Sequence, residues 1–79
     1  MAFYVILLKE SENEEQVIYK FGPNENQIGI LRIDKATGLV GELKPTPINN
    51  SSAFFHRAAA KIHLCWKQGK FPEKTSWAS

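Results

Sequence analysis

A chain of 79 residues is long enough for one small hydrophobic core and too short for two, since a minimal domain takes about 50 residues. With 43% hydrophobic and 23% charged residues, it has the mixture of a folding chain and not that of a disordered one. No apolar run approaches the ~18 residues of a bilayer span, and the longest, Phe3 to Leu8, is closed by Lys9 and Glu10 with no signal-peptide cleavage pattern. One soluble, cytoplasmic domain over residues 1–79 is expected, without membrane association. A single cysteine, Cys65, allows neither an internal disulfide nor a thiolate zinc module, so the core must hold the fold without covalent or metal support.

The net charge of +2 conceals a dipolar chain. Residues 1–34 carry three basic and six acidic side chains, whereas residues 35–79 carry seven basic and two acidic ones. Such asymmetry points to charged partners more than the net value does.

Phe3-Tyr4-Val5-Ile6-Leu7-Leu8 is rich in β-branched and aromatic residues and apolar on both faces, which predicts a central strand. Glu10-Ser11-Glu12-Asn13-Glu14-Glu15 follows as a polar hairpin turn whose carboxylates repel one another. Gln16 to Phe21 is the second strand, ended by Gly22-Pro23-Asn24, and Gln27 to Asp34 is the third. Asp34-Lys35-Ala36-Thr37-Gly38 has hairpin chemistry, with Gly38 placed for a positive φ, and Leu39 to Leu43 returns as the fourth strand. Pro45 and Pro47 stop the sheet.

Asn49-Asn50-Ser51-Ser52 supplies N-cap candidates, after which the apolar period changes from 2 to 3.6. Phe55, Ala59, Ile62 and Trp66 form a stripe flanked by Phe54, Ala58 and Cys65, and Gly69 is the stop. The expected fold is therefore α+β: a four-stranded antiparallel meander followed by one C-terminal helix packed on one face.

One helix covers only one face of a sheet. Val5, Leu7, Val17, Tyr19 and Phe21 point one way along their strands, and Tyr4, Ile6, Leu8 and Ile18 the other. The second apolar set must be covered by the C-terminal tail, by a second copy in a homodimer, or by another protein. Leu64 lies opposite the core stripe of the helix, where either the tail or a partner would meet it.

Catalytic chemistry is not expected. His56 and His63 are the only plausible bases, and seven residues of helix place them ~10 Å apart, too far to share a metal. Cys65 falls on a different side of the helix from His63. No phosphate-cradling loop is present, and no metal or cofactor is implied.

Two binding surfaces are possible. Glu12, Glu14 and Glu15 on the acidic turn suit a basic protein, which they would steer into a complex, with Tyr4, Leu64, Phe71 and Trp77 as anchors; burial under the tail is the competing account of Phe71 and Trp77. Alternatively, Arg57, Lys61, Lys67, Lys70 and Lys74, together with aromatic residues, would make a nucleic-acid-binding surface. The competing account there is an ordinary solvated helix face with Lys67 and Lys70 complementing the helix C-terminus.

The final third, Arg57-Ala58-Ala59-Ala60-Lys61 and then residues 66–79 from Trp66-Lys67-Gln68-Gly69-Lys70-Phe71-Pro72-Glu73-Lys74 to Thr75-Ser76-Trp77-Ala78-Ser79, resembles the ending of small bacterial immunity proteins. These accompany polymorphic toxins, including contact-dependent growth-inhibition systems. The resemblance implies a cytoplasmic inhibitor that binds one cognate toxin domain, often a nuclease. It carries no residue-level binding motif, and the +2 charge departs from the acidic character of many such inhibitors.

Overall fold

The computed structural model describes residues 4–78; Phe3, the first residue of the predicted first strand, lies outside them. The elements are β1 (Tyr4–Glu12), β2 (Gln16–Gly22), β3 (Gly29–Asp34), β4 (Val40–Lys44), α1 (Ser51–Gln68) and β5 (Lys74–Ala78). They form one antiparallel sheet in the order β4-β3-β2-β1-β5, with α1 packed on one face. The α+β meander with one helix is as expected.

The tail departs from the expectation. It covers neither the second sheet face nor Leu64, but pairs with β1 as a fifth strand. A further bond from the Lys9 N–H to the Glu73 carbonyl, 2.8 Å, continues the pairing toward the chain's entry into β5. The cause is the opposite edge of β1: a strand apolar on both faces needs two neighbours, and β2 supplies only one. In this register Trp77 lies opposite Val5 and Thr75 opposite Leu7, so both face the helix side, while Lys74 and Ser76 face away.

Two local differences accompany this. β1 continues past Glu10 through an irregularity between Lys9 and Ser11, and Glu12 pairs with Val17. The first turn therefore contracts to Asn13-Glu14-Glu15, where the Asn13 side-chain oxygen accepts the N–H groups of Glu15 and Gln16, both at 2.8 Å.

The core consists of Val5 and Leu7 of β1, Val17, Tyr19 and Phe21 of β2, Leu31 and Ile33 of β3, and Ala58, Ile62 and Cys65 of α1. The helix stripe is thus rotated from the expected one. Small Ala58 and Cys65 sit with Ile62 against the sheet, and the bulky Phe54, Phe55 and Trp66 pack around this contact as partly buried side chains. Asn50 is the N-cap, but in a left-handed conformation (φ 65°) and with no side-chain cap bond. At the other end Gly69 (φ 74°) closes a Schellman motif: its N–H reaches the Trp66 carbonyl at 3.0 Å, and that of Lys70 reaches the Cys65 carbonyl at 3.1 Å.

Two bonds tie the far ends of the chain to this frame. The Trp66 indole N–H donates to the Lys35 carbonyl at 2.7 Å, fixing the helix to the β3–β4 turn. The Tyr19 hydroxyl donates to the Pro72 carbonyl at 2.6 Å, fixing the segment that enters β5. Burial raises the Tyr19 pKa well above its ordinary value, so the hydroxyl stays protonated and able to donate.

Thr46, between Pro45 and Pro47, is 3% exposed, and its hydroxyl has no hydrogen-bond partner among the described residues. An unpaired buried hydroxyl costs about 1–3 kcal/mol, whereas an apolar group of the same shape does not. Thr46→Val is accordingly expected to stabilise the protein by about 1 kcal/mol, read as a higher denaturant midpoint at unchanged slope. A lower midpoint would refute this.

Candidate functional site

The strand alternation that fills the core sends a second set of side chains to the face away from α1. Tyr4, Ile6 and Leu8 of β1, Ile18 and Lys20 of β2, Ile30 and Arg32 of β3, Lys44 of β4 and Lys74 of β5 share this outer face. Ile6, Leu8, Ile18 and Ile30 are half-buried by their neighbours, and no other element of the described chain packs over them. Tyr4 is 49% exposed. At its end of the face lies an open hollow of about 410 Å³, lined among others by Tyr4, Ile6, Pro23, Glu25 and Lys74.

The acidic turn does not keep its three carboxylates together. Glu12 sits on the helix side of β1, where it accepts from Lys9 Nζ at 2.6 Å and from Lys35 Nζ at 2.7 Å. These bonds, that from Lys35 foremost, hold its carboxyl below the ordinary value of 4.5. Glu12 thereby joins the β1–β2 hairpin to the β3–β4 turn, and only Glu14 and Glu15 remain fully on the exposed loop.

A pKa lowered in the folded state stabilises the fold above the unfolded value and ceases to do so as pH falls through the folded one. Glu12→Gln is therefore expected to cost up to about 1 kcal/mol at neutral pH, in keeping with a partly exposed ion pair. The difference from the parent should shrink to nothing as pH is taken below 4.5. A gap that persists in acid would mean the carboxylate charge is irrelevant.

The aromatic candidates divide. Tyr4 stands on the outer face, but Phe71 and Trp77 pack against the core cluster on the helix side. The Arg57 guanidinium lies over the Trp77 ring at 5.3 Å from its centroid, and Lys35 Nζ lies 5.8 Å from that of Phe71. Both aromatics thus contribute to packing while remaining partly buried. Leu64 is 53% exposed on the outward side of α1, apart from the sheet face. Leu39 and Leu43, at 72% and 56%, are exposed beside and within β4, which the strand pattern did not reveal.

The five cations of the nucleic-acid alternative do not form one track. Arg57 is half-buried, donates to the Ala53 carbonyl at 3.2 Å and faces Trp77. Lys61 follows one turn later, Lys67 lies in the last turn, Lys70 follows the cap, and Lys74 alone belongs to the outer sheet face. The cations that do share a surface are Lys20, Arg32, Lys44 and Lys74. Each of the first two was legible as a polar residue between apolar ones in its own strand, but their juxtaposition depends on cross-strand register.

His56 is exposed and contacts the Phe55 ring. His63 stacks on Trp66 at 5.4 Å, with Nδ1 3.3 Å from the Gly38 carbonyl oxygen. Cys65 is buried. Among the described residues no group of three or more His, Cys, Asp or Glu side chains is placed to hold a metal, and no helix is long and apolar enough to cross a membrane. Comparison of the chain with protein-family models, with curated proteins and with solved structures gives no match.

Proposed function

We propose that this protein acts by binding another protein, as an inhibitor of a cognate bacterial toxin domain, and that the partner docks on the outer face of the sheet. The observation that supports this is the band of Ile6, Leu8, Ile18 and Ile30, with Tyr4 at its end, on a sheet face that no other element among the described residues overlies. A small domain gains by covering such a band, and a protein surface covers it by apolar contact. The C-terminal resemblance to immunity proteins supports the toxin as the partner. A nuclease toxin met through the acidic turn would find Glu14 and Glu15, with Glu12 already neutralised by two lysines.

The test is affinity capture with the tagged full chain from the producing cell, with nuclease treatment and mass spectrometry, alongside an Ile6→Glu/Ile18→Glu variant shown to be folded by circular dichroism. The reading expects one toxin domain retained in near-equal amount and lost with the variant. Recovery of nucleic acid alone, removed by digestion, would replace it with the nucleic-acid alternative. A toxin domain held equally by the variant would move the contact off this face.

A further inference from the structure

We infer that the surface recognised by the outer face is acidic as well as apolar, which makes the occupant an acidic protein surface and neither a second copy of this chain nor a nucleic acid. This rests on the protein-binding reading above and adds the chemistry of the partner. Cross-strand partners define one continuous row over all five strands: Lys74, Leu8, Lys20, Ile30, Lys44. Cations and aliphatic side chains alternate along it. At a strand spacing of ~4.8 Å, successive lysines stand ~10 Å apart, with one aliphatic residue between each pair. Arg32 and Ile18, which are paired with each other, extend the same mixture to the neighbouring row.

Little internal charge answers these cations. Glu10 lies 3.7 Å from Lys20, with both side chains more than two-fifths exposed, so the pair is loose and solvated. Asp34 is engaged by the N–H groups of Ala36 and Thr37, and Glu25 is exposed at the rim of the hollow. Among the described residues no carboxylate pairs with Lys44 or Lys74.

Three occupants compete for this face, and its chemistry separates them. A second copy laid face to face would set one cationic row against another, at the cost of like-charge repulsion. A single-stranded nucleic acid would satisfy the cations, but it needs flat surfaces for its bases, and aliphatic Leu8 and Ile30 stand between the lysines; a duplex would lay its charged backbone on those same aliphatic side chains. A protein surface bearing both carboxylates and apolar side chains satisfies both halves of the row.

The probe is a soluble peptide alternating Glu and Val, titrated into the isotopically labelled full chain near physiological salt and followed by backbone amide shifts. An oligothymidylate of matched charge is titrated in parallel. The peptide is expected to shift amides along the five-strand row more than those of α1 and to bind more tightly than the oligonucleotide. Lys20→Glu/Lys44→Glu/Lys74→Glu should weaken it at least about tenfold, and Lys61→Glu/Lys67→Glu no more than about twofold. The Lys→Gln triple variant provides a milder control for folding and should fall between parent and charge reversal. Absent peptide binding, tighter oligothymidylate binding, equal loss in the helix variant, or a dimer in sedimentation equilibrium would each overturn the inference. A captured toxin domain indifferent to the triple reversal would also overturn it while leaving the inhibitor reading intact.

Discussion

Replacing Gly38 with alanine is expected to remove about 2–4 kcal/mol of stability, because two separate costs fall on one residue. Gly38 has φ 78°, a left-handed conformation that a side chain disfavours by about 1–2 kcal/mol. A Cβ there would also stand 2.7 Å from the indole ring of Trp66, well inside van der Waals contact. That ring cannot yield cheaply. It is held by its bond to the Lys35 carbonyl and stacks on His63, whose Nδ1 in turn approaches the Gly38 carbonyl. Relief of the clash would therefore lift the C-terminal half of α1 off the β3–β4 turn. Gly69 isolates the first cost: its φ of 74° is nearly the same, but a Cβ there would meet nothing within 4 Å. Gly69→Ala should thus lose about 1–2 kcal/mol, the conformational part alone. Chemical denaturation of the two variants decides the matter. Equal losses would show that the Trp66 contact contributes nothing.

Ile62→Ala should be comparably damaging, at about 2–5 kcal/mol. Ile62 is fully buried in α1, between the small residues Ala58 and Cys65 that let the helix approach the sheet. Truncation there removes transfer free energy and leaves a cavity, and Tyr19, Phe21, Leu31 and Ile33 belong to strands too well paired to collapse into it. A domain of this size has only about 5–15 kcal/mol in total, so a substantial fraction should be lost. Leu64→Ala, two residues along the same helix, removes a side chain that is 53% exposed, and its expected cost is within about 0.5 kcal/mol. Equal midpoints for the two variants would mean that the helix does not seal the core.

The two faces of the sheet are separable in the amino-acid sequence. Val5 and Leu7 alternate with Ile6 and Leu8, and Tyr19 and Phe21 flank Lys20, so period two assigns each to a side. The fifth strand is nearly silent in the sequence because Lys74-Thr75-Ser76-Trp77-Ala78 contains one large apolar residue and hence hardly any periodic signal. Its trace lay elsewhere, in β1. A first strand apolar on both faces is unsuited to the edge position that a four-strand meander would give it. The acidic turn differs for a related reason: Glu12 has the local pattern of a solvated turn residue, but an irregularity in β1 carries it into the ladder, and Lys35 approaches it from 23 residues away.

Local pattern by itself determined the α+β class, the first four strands, the helix with its stop at Gly69, and the presence of surplus apolar surface, because each depends on residues adjacent in sequence or one turn apart. Tertiary structure alone decided that Phe71 and Trp77 support the core, that Arg57, Lys61, Lys67, Lys70 and Lys74 are dispersed, and that Lys20, Lys44 and Lys74 stand in one row. Those facts follow from register and strand order. A slip of one residue would send every side chain of a strand to the opposite face, and that choice is made by the packing of the whole sheet beneath its helix.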